Sequence, residues 1–244
     1  MSRVQRLVKT VERTLKKRGV LGTAVHLGNA VVTRITTRGA PPPAASAADA
    51  AEDQEFDKKY GVSTGGEIPQ TELDVKEATW IHGSAYVPTS PVDFAEVLGG
   101  LGVTYEETTF IDLGCGKGRV LLMASALPWK RVVGVEFSPQ LADVARDNAR
   151  RYTGPKVAEI AVETNDATKY RLPDGPLVVF MYHPFDEKIM AAVEASISAS
   201  LRERPRRTLI VYFKPVHREV WDQASSFTKL REERLYVIYE SRAA

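Results

Sequence analysis

Phe110-Ile-Asp-Leu-Gly-Cys-Gly-Lys-Gly-Arg119 is the stretch of this 244-residue chain that decides its fold. An apolar run enters Asp112, glycines follow at 114, 116 and 118, and a helix-forming segment begins behind them. Glycines let a backbone turn tightly and approach a ligand with no Cβ in the way. In a doubly wound sheet the ligand crevice lies outside the carboxyl ends of the strands. The loop therefore reads as a nucleotide-type binding site. A dinucleotide G-x-G-x-x-G counted from Gly114 would need glycine where Arg119 stands, and a P-loop G-x-x-x-x-G-K-[ST] is absent.

The surrounding pattern is strand alternating with helix. Ser90 and Pro91 open a helix predicted to reach Leu101, with serine as cap and proline at the first position. Thr108–Leu113 reads as a buried strand, 118–127 as a helix and Arg131–Glu136 as a second strand. Ser138 caps a helix over 138–152. Strands follow at Val157–Val162, Leu177–Tyr182 and Thr208–Phe213, with a helix over 186–203 before the last. A short helix at 215–224 precedes strands near 226–231 and 234–240, close enough to form an antiparallel hairpin. This order predicts an α/β, Rossmann-like doubly wound sheet with helices on both faces.

D-x-G-x-G-x-G, as it stands at Asp112–Gly118, resembles motif I of the class I methyltransferases that use S-adenosylmethionine (SAM). The resemblance covers roughly residues 80–240. It implies a seven-stranded sheet of order 3-2-1-4-5-7-6 with the last strand antiparallel. It also implies SAM as cofactor. Asp112 would orient the methionine end, and Gly114, Cys115, Gly116 and Gly118 would touch the cofactor through their backbone. Val132-Val-Gly-Val-Glu136 ends in an acid 24 residues after Asp112. A carboxylate at that strand end can accept both ribose hydroxyls, with Phe137 beside the adenine. Asn165-Asp166-Ala167 resembles motif III, where the acid receives the adenine amino group. Cys115 itself reads as a small buried residue rather than a nucleophile, and Lys117 as solvent-facing.

The acceptor end is expected at Val179-Phe-Met-Tyr-His-Pro-Phe185, which resembles motif IV. His183 stands where the amino- and amide-methylating forms carry Asp or Asn, and there is one proline. His183 is a candidate general base, its ordinary pKa near ~6.5 suiting neutral pH, or a pocket-shaping hydrogen-bonder. Tyr182, Pro184 and Phe185 are candidate pocket walls. Upstream, Tyr86-Val-Pro-Thr89 is similar to the lid loop of seven-stranded protein-lysine methyltransferases, which makes Tyr86 the lid and acceptor-site candidate. Trp80 and His82 lie nearby. The acceptor reads best as a protein amine, with a small-molecule N- or O-acceptor as the alternative; RNA methylation and a non-catalytic SAM-binding scaffold rank below both.

Charge divides the chain. The total is +2, from 33 Lys and Arg against 31 Asp and Glu. Residues 1–38 hold nine basic residues and one acid, and the remainder is acidic by 6. Val4, Leu7, Val8, Val11 and Leu15 recur at helical spacing between the basic residues. This basic amphipathic helix packs on its own domain or a partner, with peripheral membrane contact the lesser reading. Residues 39–51 read as a Pro/Ala linker, 52–60 as an acidic helical segment within a 52–90 lid region, and 91–244 as the catalytic domain. The acidic domain argues against a nucleic-acid partner. One cysteine excludes an internal disulfide and a multi-cysteine metal site, and no metal is expected. The single cysteine favours a reducing, cytoplasmic setting, and no stretch approaches the ~18 uninterrupted apolar residues of a membrane span.

Overall fold

The computed structural model describes residues 47–66, 68 and 86–242. The basic N-terminal helix, most of the Pro/Ala stretch, Trp80 and His82 lie outside the described residues.

Helix α1 (Ala47–Tyr60) comes first, followed by α2 (Pro91–Leu98). The sheet and its helices then run β1 (Thr109–Leu113), α3 (Arg119–Ala124), β2 (Arg131–Glu136), α4 (Pro139–Arg151), β3 (Ile160–Thr164), β4 (Leu177–Tyr182) and α5 (Glu187–Glu203). They close with β5 (Thr208–Phe213), α6 (Arg218–Asp222), β6 (Phe227–Glu232) and β7 (Tyr236–Ser241). The seven strands lie in the order β3-β2-β1-β4-β5-β7-β6. β7 runs antiparallel to both its neighbours and the other pairings are parallel. Fold class and strand order therefore agree with the reading of the sequence.

Strand alternation builds two cores. On β1, Phe110 points to a layer with Phe94, Val120, Leu121 and Phe180. Its neighbour Ile111 points to the opposite layer, with Met190, Val193, Ile197 and Trp221. β4 and β5 are buried on both faces, which is why they read as unbroken apolar runs. Strand order reverses between β1 and β4, the switch point where a ligand crevice opens.

Several boundaries differ from expectation, most by one or two residues, and the short helix before β6 is only Arg218–Asp222. The third strand starts at Ile160, not Val157. The N–H groups of Val157 and Ala158 both donate to the Ser125 carbonyl (2.6 and 3.1 Å), so they belong to a loop rather than to the ladder. α1 begins at Ala47, inside the stretch read as linker, because its alanines are good helix formers once the prolines are passed. α2 stops at Leu98 before Gly99 and Gly100. α3 stops at Ala124, where the Ser125 hydroxyl turns back to the Leu122 carbonyl (2.8 Å).

Candidate active site

The glycine loop joins β1 to α3 at the switch point. Gly114, Gly116 and Gly118 all have positive φ (83°, 53° and 85°), the left-handed region that costs a side-chain-bearing residue about 1–2 kcal/mol. Space is tight as well. A Cβ on Gly114 would lie 2.6 Å from the Pro184 Cβ, and one on Gly116 would run into the Tyr86 ring. The glycines thus hold the loop against the end of β4 on one side and against Tyr86 on the other.

Glu136, at the end of β2, is buried and fully engaged with backbone. Its Oε2 accepts the Gly116 N–H (2.8 Å) and its Oε1 the Ser138 N–H (2.8 Å). Burial pushes its carboxyl up; the N–H groups of Ser138, Gly116 and Phe137 pull it back. Asp112 is also buried, and burial together with the charge of Glu136 raises its carboxyl well above the ordinary range. Two buried carboxylates therefore lie near enough for the charge of one to raise the other. Phe137, the next residue, is half-buried.

Asp166, on the loop after β3, caps its own turn: its Oδ1 accepts the N–H (2.9 Å) and hydroxyl (2.7 Å) of Thr168. Burial would raise its carboxyl, but these bonds and Lys169 outweigh it and hold it low. Ala167 packs on the apolar layer behind. Cys115 points away from the crevice into the core, over Gly134 of β2, and burial pushes its thiol up.

At the ends of β4 and β5 the backbone is strained. Tyr182 pairs with Phe213 as the last rung, and the next residue on each strand, His183 and Lys214, has positive φ (38° and 45°). Such outliers persist only where surrounding structure imposes them. The His183 N–H donates to the Phe213 carbonyl (3.1 Å) and the Lys214 N–H to the Leu235 carbonyl (2.7 Å). The His183 Nδ1 lies 3.4 Å from the Tyr212 hydroxyl, and its ring is 5.5 Å from that of His217. Burial, His217 and Lys214 all lower the His183 pKa. Tyr182 stacks on Phe213 (5.2 Å) beneath the Lys214 ammonium, 5.0 Å from its ring. Pro184 then meets Gly114, and Phe185 packs inward against the α5 side.

A third group was not foreseen. Arg119, the first residue of α3, is 2% exposed and pairs with Asp53 and Asp57 of α1. Its Nε donates to the Thr64 hydroxyl (2.7 Å), and its guanidinium covers the Phe56 ring. Tyr86 donates its hydroxyl hydrogen to the Thr64 carbonyl (2.7 Å) and lays its ring on Gly116. Lys117 is not solvent-facing: its ammonium donates to the Gly65 carbonyl (2.5 Å), and burial lowers its pKa. The acidic residues Asp53 and Asp57 stand four apart on one helix face, a signal that sequence offers, but their partner lies 66 residues from Asp53.

No helix among the described residues is long and apolar enough to cross a membrane. Among the same residues, no group of three or more His, Cys, Asp or Glu is placed to hold a metal ion.

Residues 110–204 match the protein-family model described as a methyltransferase domain. Over 50 residues the chain is 42% identical to the ribosomal protein L11 methyltransferase of Alteromonas mediterranea, a match covering 20% of this chain and 17% of that protein. Among solved structures, a predicted N6-adenine-specific DNA methylase from Listeria monocytogenes is 13% identical (TM-score 0.49), covering 64% of this chain and 52% of the other. A ribosomal protein L11 methylase from Lactobacillus delbrueckii is 16% identical (TM-score 0.46), covering 72% and 94%. The chain thus spans under a fifth of the curated relative and about half of the Listeria protein. Strand order, glycine loop and domain match agree: residues 110–204 match a methyltransferase domain, and they lie in a sheet whose order is the one expected from the resemblance to class I methyltransferases.

Proposed function

We propose that this protein binds S-adenosylmethionine along the glycine loop and transfers its methyl group to a nucleophile held at the ends of β4 and β5. The observation that carries the reading is the Gly114–Gly118 loop, with no Cβ at 114, 116 and 118 at the switch point, flanked by the buried carboxylates of Asp112 and Glu136. Those carboxylates suit a ligand with an ammonium at one end and a ribose at the other. Asp112 would take the ammonium, whose positive charge relieves the burial and repulsion that raise its pKa. Glu136 would exchange backbone N–H donors for ribose hydroxyls. Phe137 and Asp166 would border the adenine, and Ala167 would back it.

SAM supplies an electrophilic methyl on a sulfonium. The acceptor's lone pair forms the new bond to carbon as the carbon–sulfur bond breaks, its electron pair passing to sulfur. The chain's own contribution is alignment and, where the acceptor holds a proton, its removal. His183 suits the proton removal, its pKa lowered by burial, His217 and Lys214 while the Tyr212 hydroxyl lies on its Nδ1 side.

For the acceptor we favour a protein amine. The Tyr86-Val-Pro-Thr89 loop supports it, as does the partial likeness to enzymes named for a ribosomal protein. One observation favours a small-molecule acceptor instead: Lys214 sits over Tyr182 at the acceptor end, where a second cation would be repelled. We infer a cytoplasmic setting for either reaction. Labelled SAM with cell extract separates the two readings. Label that stays on protease-sensitive protein supports the amine, and label in the small-molecule fraction supports the alternative. Failure to form S-adenosylhomocysteine with any extract would leave only a SAM-binding scaffold.

A further inference from the structure

α1 and residues 61–66 take no part in the reaction just proposed, yet they are built onto the loop that would hold the cofactor. Three connections converge there. Arg119, directly after the last glycine, spends its whole guanidinium on this segment: Nε on the Thr64 hydroxyl, one Nη on Asp53, the other near Asp57 (3.6 Å). Lys117, inside the loop, donates to the Gly65 and Gly66 carbonyls (2.5 and 3.3 Å). Asn148 of α4, fully buried, donates to the carbonyls of Lys117 (2.9 Å) and Ser63 (3.1 Å), while its Oδ1 accepts the Ser63 N–H (2.8 Å).

Asp57 completes the knot. Its carboxylate accepts the Thr64 N–H (2.8 and 2.9 Å), the Thr64 hydroxyl (2.6 Å) and the Gly65 N–H (2.8 Å). Thr64 in turn offers its carbonyl to the Tyr86 hydroxyl, and the Tyr86 ring rests on Gly116. A ligand lying on the glycine-loop backbone therefore shares that surface with Tyr86, whose place is fixed by Thr64, which is fixed by Arg119 and Asp57. A buried arginine is costly unless fully paired, so this arrangement is close to all-or-none. α1 docks with its acids and Phe56 on Arg119, or the guanidinium is given back to water with those acids.

We propose that Arg119 is a positioning residue that couples docking of α1 and residues 61–66 to occupancy of the glycine loop, the docked segment favouring the bound cofactor. The sign follows from preorganisation. Docking fixes the carbonyl of Lys117 and the ring over Gly116 before the ligand arrives. The inference rests on the reading of this loop as the cofactor site.

Coupling is reciprocal: whatever docking adds to cofactor affinity, cofactor must add to docking. The test uses the full chain and S-adenosylhomocysteine as probe, with calorimetry for affinity and hydrogen exchange for residues 47–66. In the wild type the probe should slow exchange across 47–66. In Asp53→Asn/Asp57→Asn the dissociation constant should rise about tenfold. The probe should then no longer protect 47–66, while amides of β4 and β5 stay as protected as in the wild type. If the double variant loosens the whole domain, Thr64→Val removes only the hydroxyl bridge, and Arg119→Lys keeps the charge without the fork. Both should show the same loss of probe-induced protection, in smaller measure. Wild type that binds the probe with no change at 47–66 overturns the coupling, as does a loosened variant that binds it unchanged. Wild type that fails to bind the probe removes the cofactor reading and this inference with it.

Discussion

The ends of β1 and β2 and the ends of β4 and β5 form two halves of one crevice, built by opposite means. The first half is made of backbone. Glycines turn the chain, and the Glu136 carboxylate is held by main-chain N–H groups from Gly116 and Ser138. The second half is made of side chains under strain. His183 and Lys214 stand in the left-handed region with no glycine to relieve it, and imidazole, phenol and ammonium groups crowd the strand ends. A backbone-built half grips what every reaction of its class shares. A side-chain-built half can be varied to suit one acceptor. The division predicts that substitutions in the first half act on cofactor affinity and those in the second on turnover.

The largest effect should come from giving the first half a side chain. Gly116→Val places a branched group against the Tyr86 ring at a φ of 53°. Strain and overpacking of about 2–5 kcal/mol together should weaken S-adenosylhomocysteine binding by about thirtyfold or more by calorimetry. Gly114→Ala, facing Pro184, should follow the same direction.

Turnover should be the casualty in the second half. His183→Ala should lower kcat by about 10² while binding of the cofactor product stays within threefold of wild type (about 0.7 kcal/mol). The pH profile sharpens the point. A base whose pKa is lowered is already deprotonated at neutral pH, so wild-type turnover should be flat there. It should fall only as pH drops through the lowered His183 value, below the ordinary ~6.5 of histidine. That acid limb should vanish in His183→Asn. An unchanged limb would assign it to another group.

Glu136→Gln keeps the shape but surrenders the charge that accepts two N–H bonds. Loss of charge-assisted bonding of about 1.5–3 kcal/mol should weaken binding roughly ten- to hundredfold, with kcat little changed at saturating cofactor. The smallest effect belongs to Cys115. Its buried thiol should resist alkylation in the native protein, and Cys115→Ala should leave binding within a few-fold of wild type.

The same division explains what could be read from the chain. Parallel strands such as β4 and β5 declare themselves as apolar runs, and the glycine spacing with its trailing acids is local. The alternation of strand and helix and the Gly114–Glu136 cluster were thus legible in the residues, while the strand order came from the resemblance those residues carry. β3 slipped by three residues because Val157 and Ala158 are as apolar as a strand start. Only their bonds to Ser125, on a distant loop, exclude them. The clasp at Arg119 was illegible for the same reason: Asp53 and Asp57 look like a solvated helix face until the fold carries Arg119 against them. Lys117, read as solvent-facing, is instead spent on carbonyls that only the folded chain delivers.

Everything proposed for this crevice depends on the glycine loop and its two carboxylates holding S-adenosylmethionine. Titration of the full-length wild type with S-adenosylmethionine and S-adenosylhomocysteine tests it most directly. Binding in the micromolar range, one ligand per chain and lost in Asp112→Ala and Glu136→Ala, is the expected result. Folded wild-type protein that takes up neither ligand would contradict it.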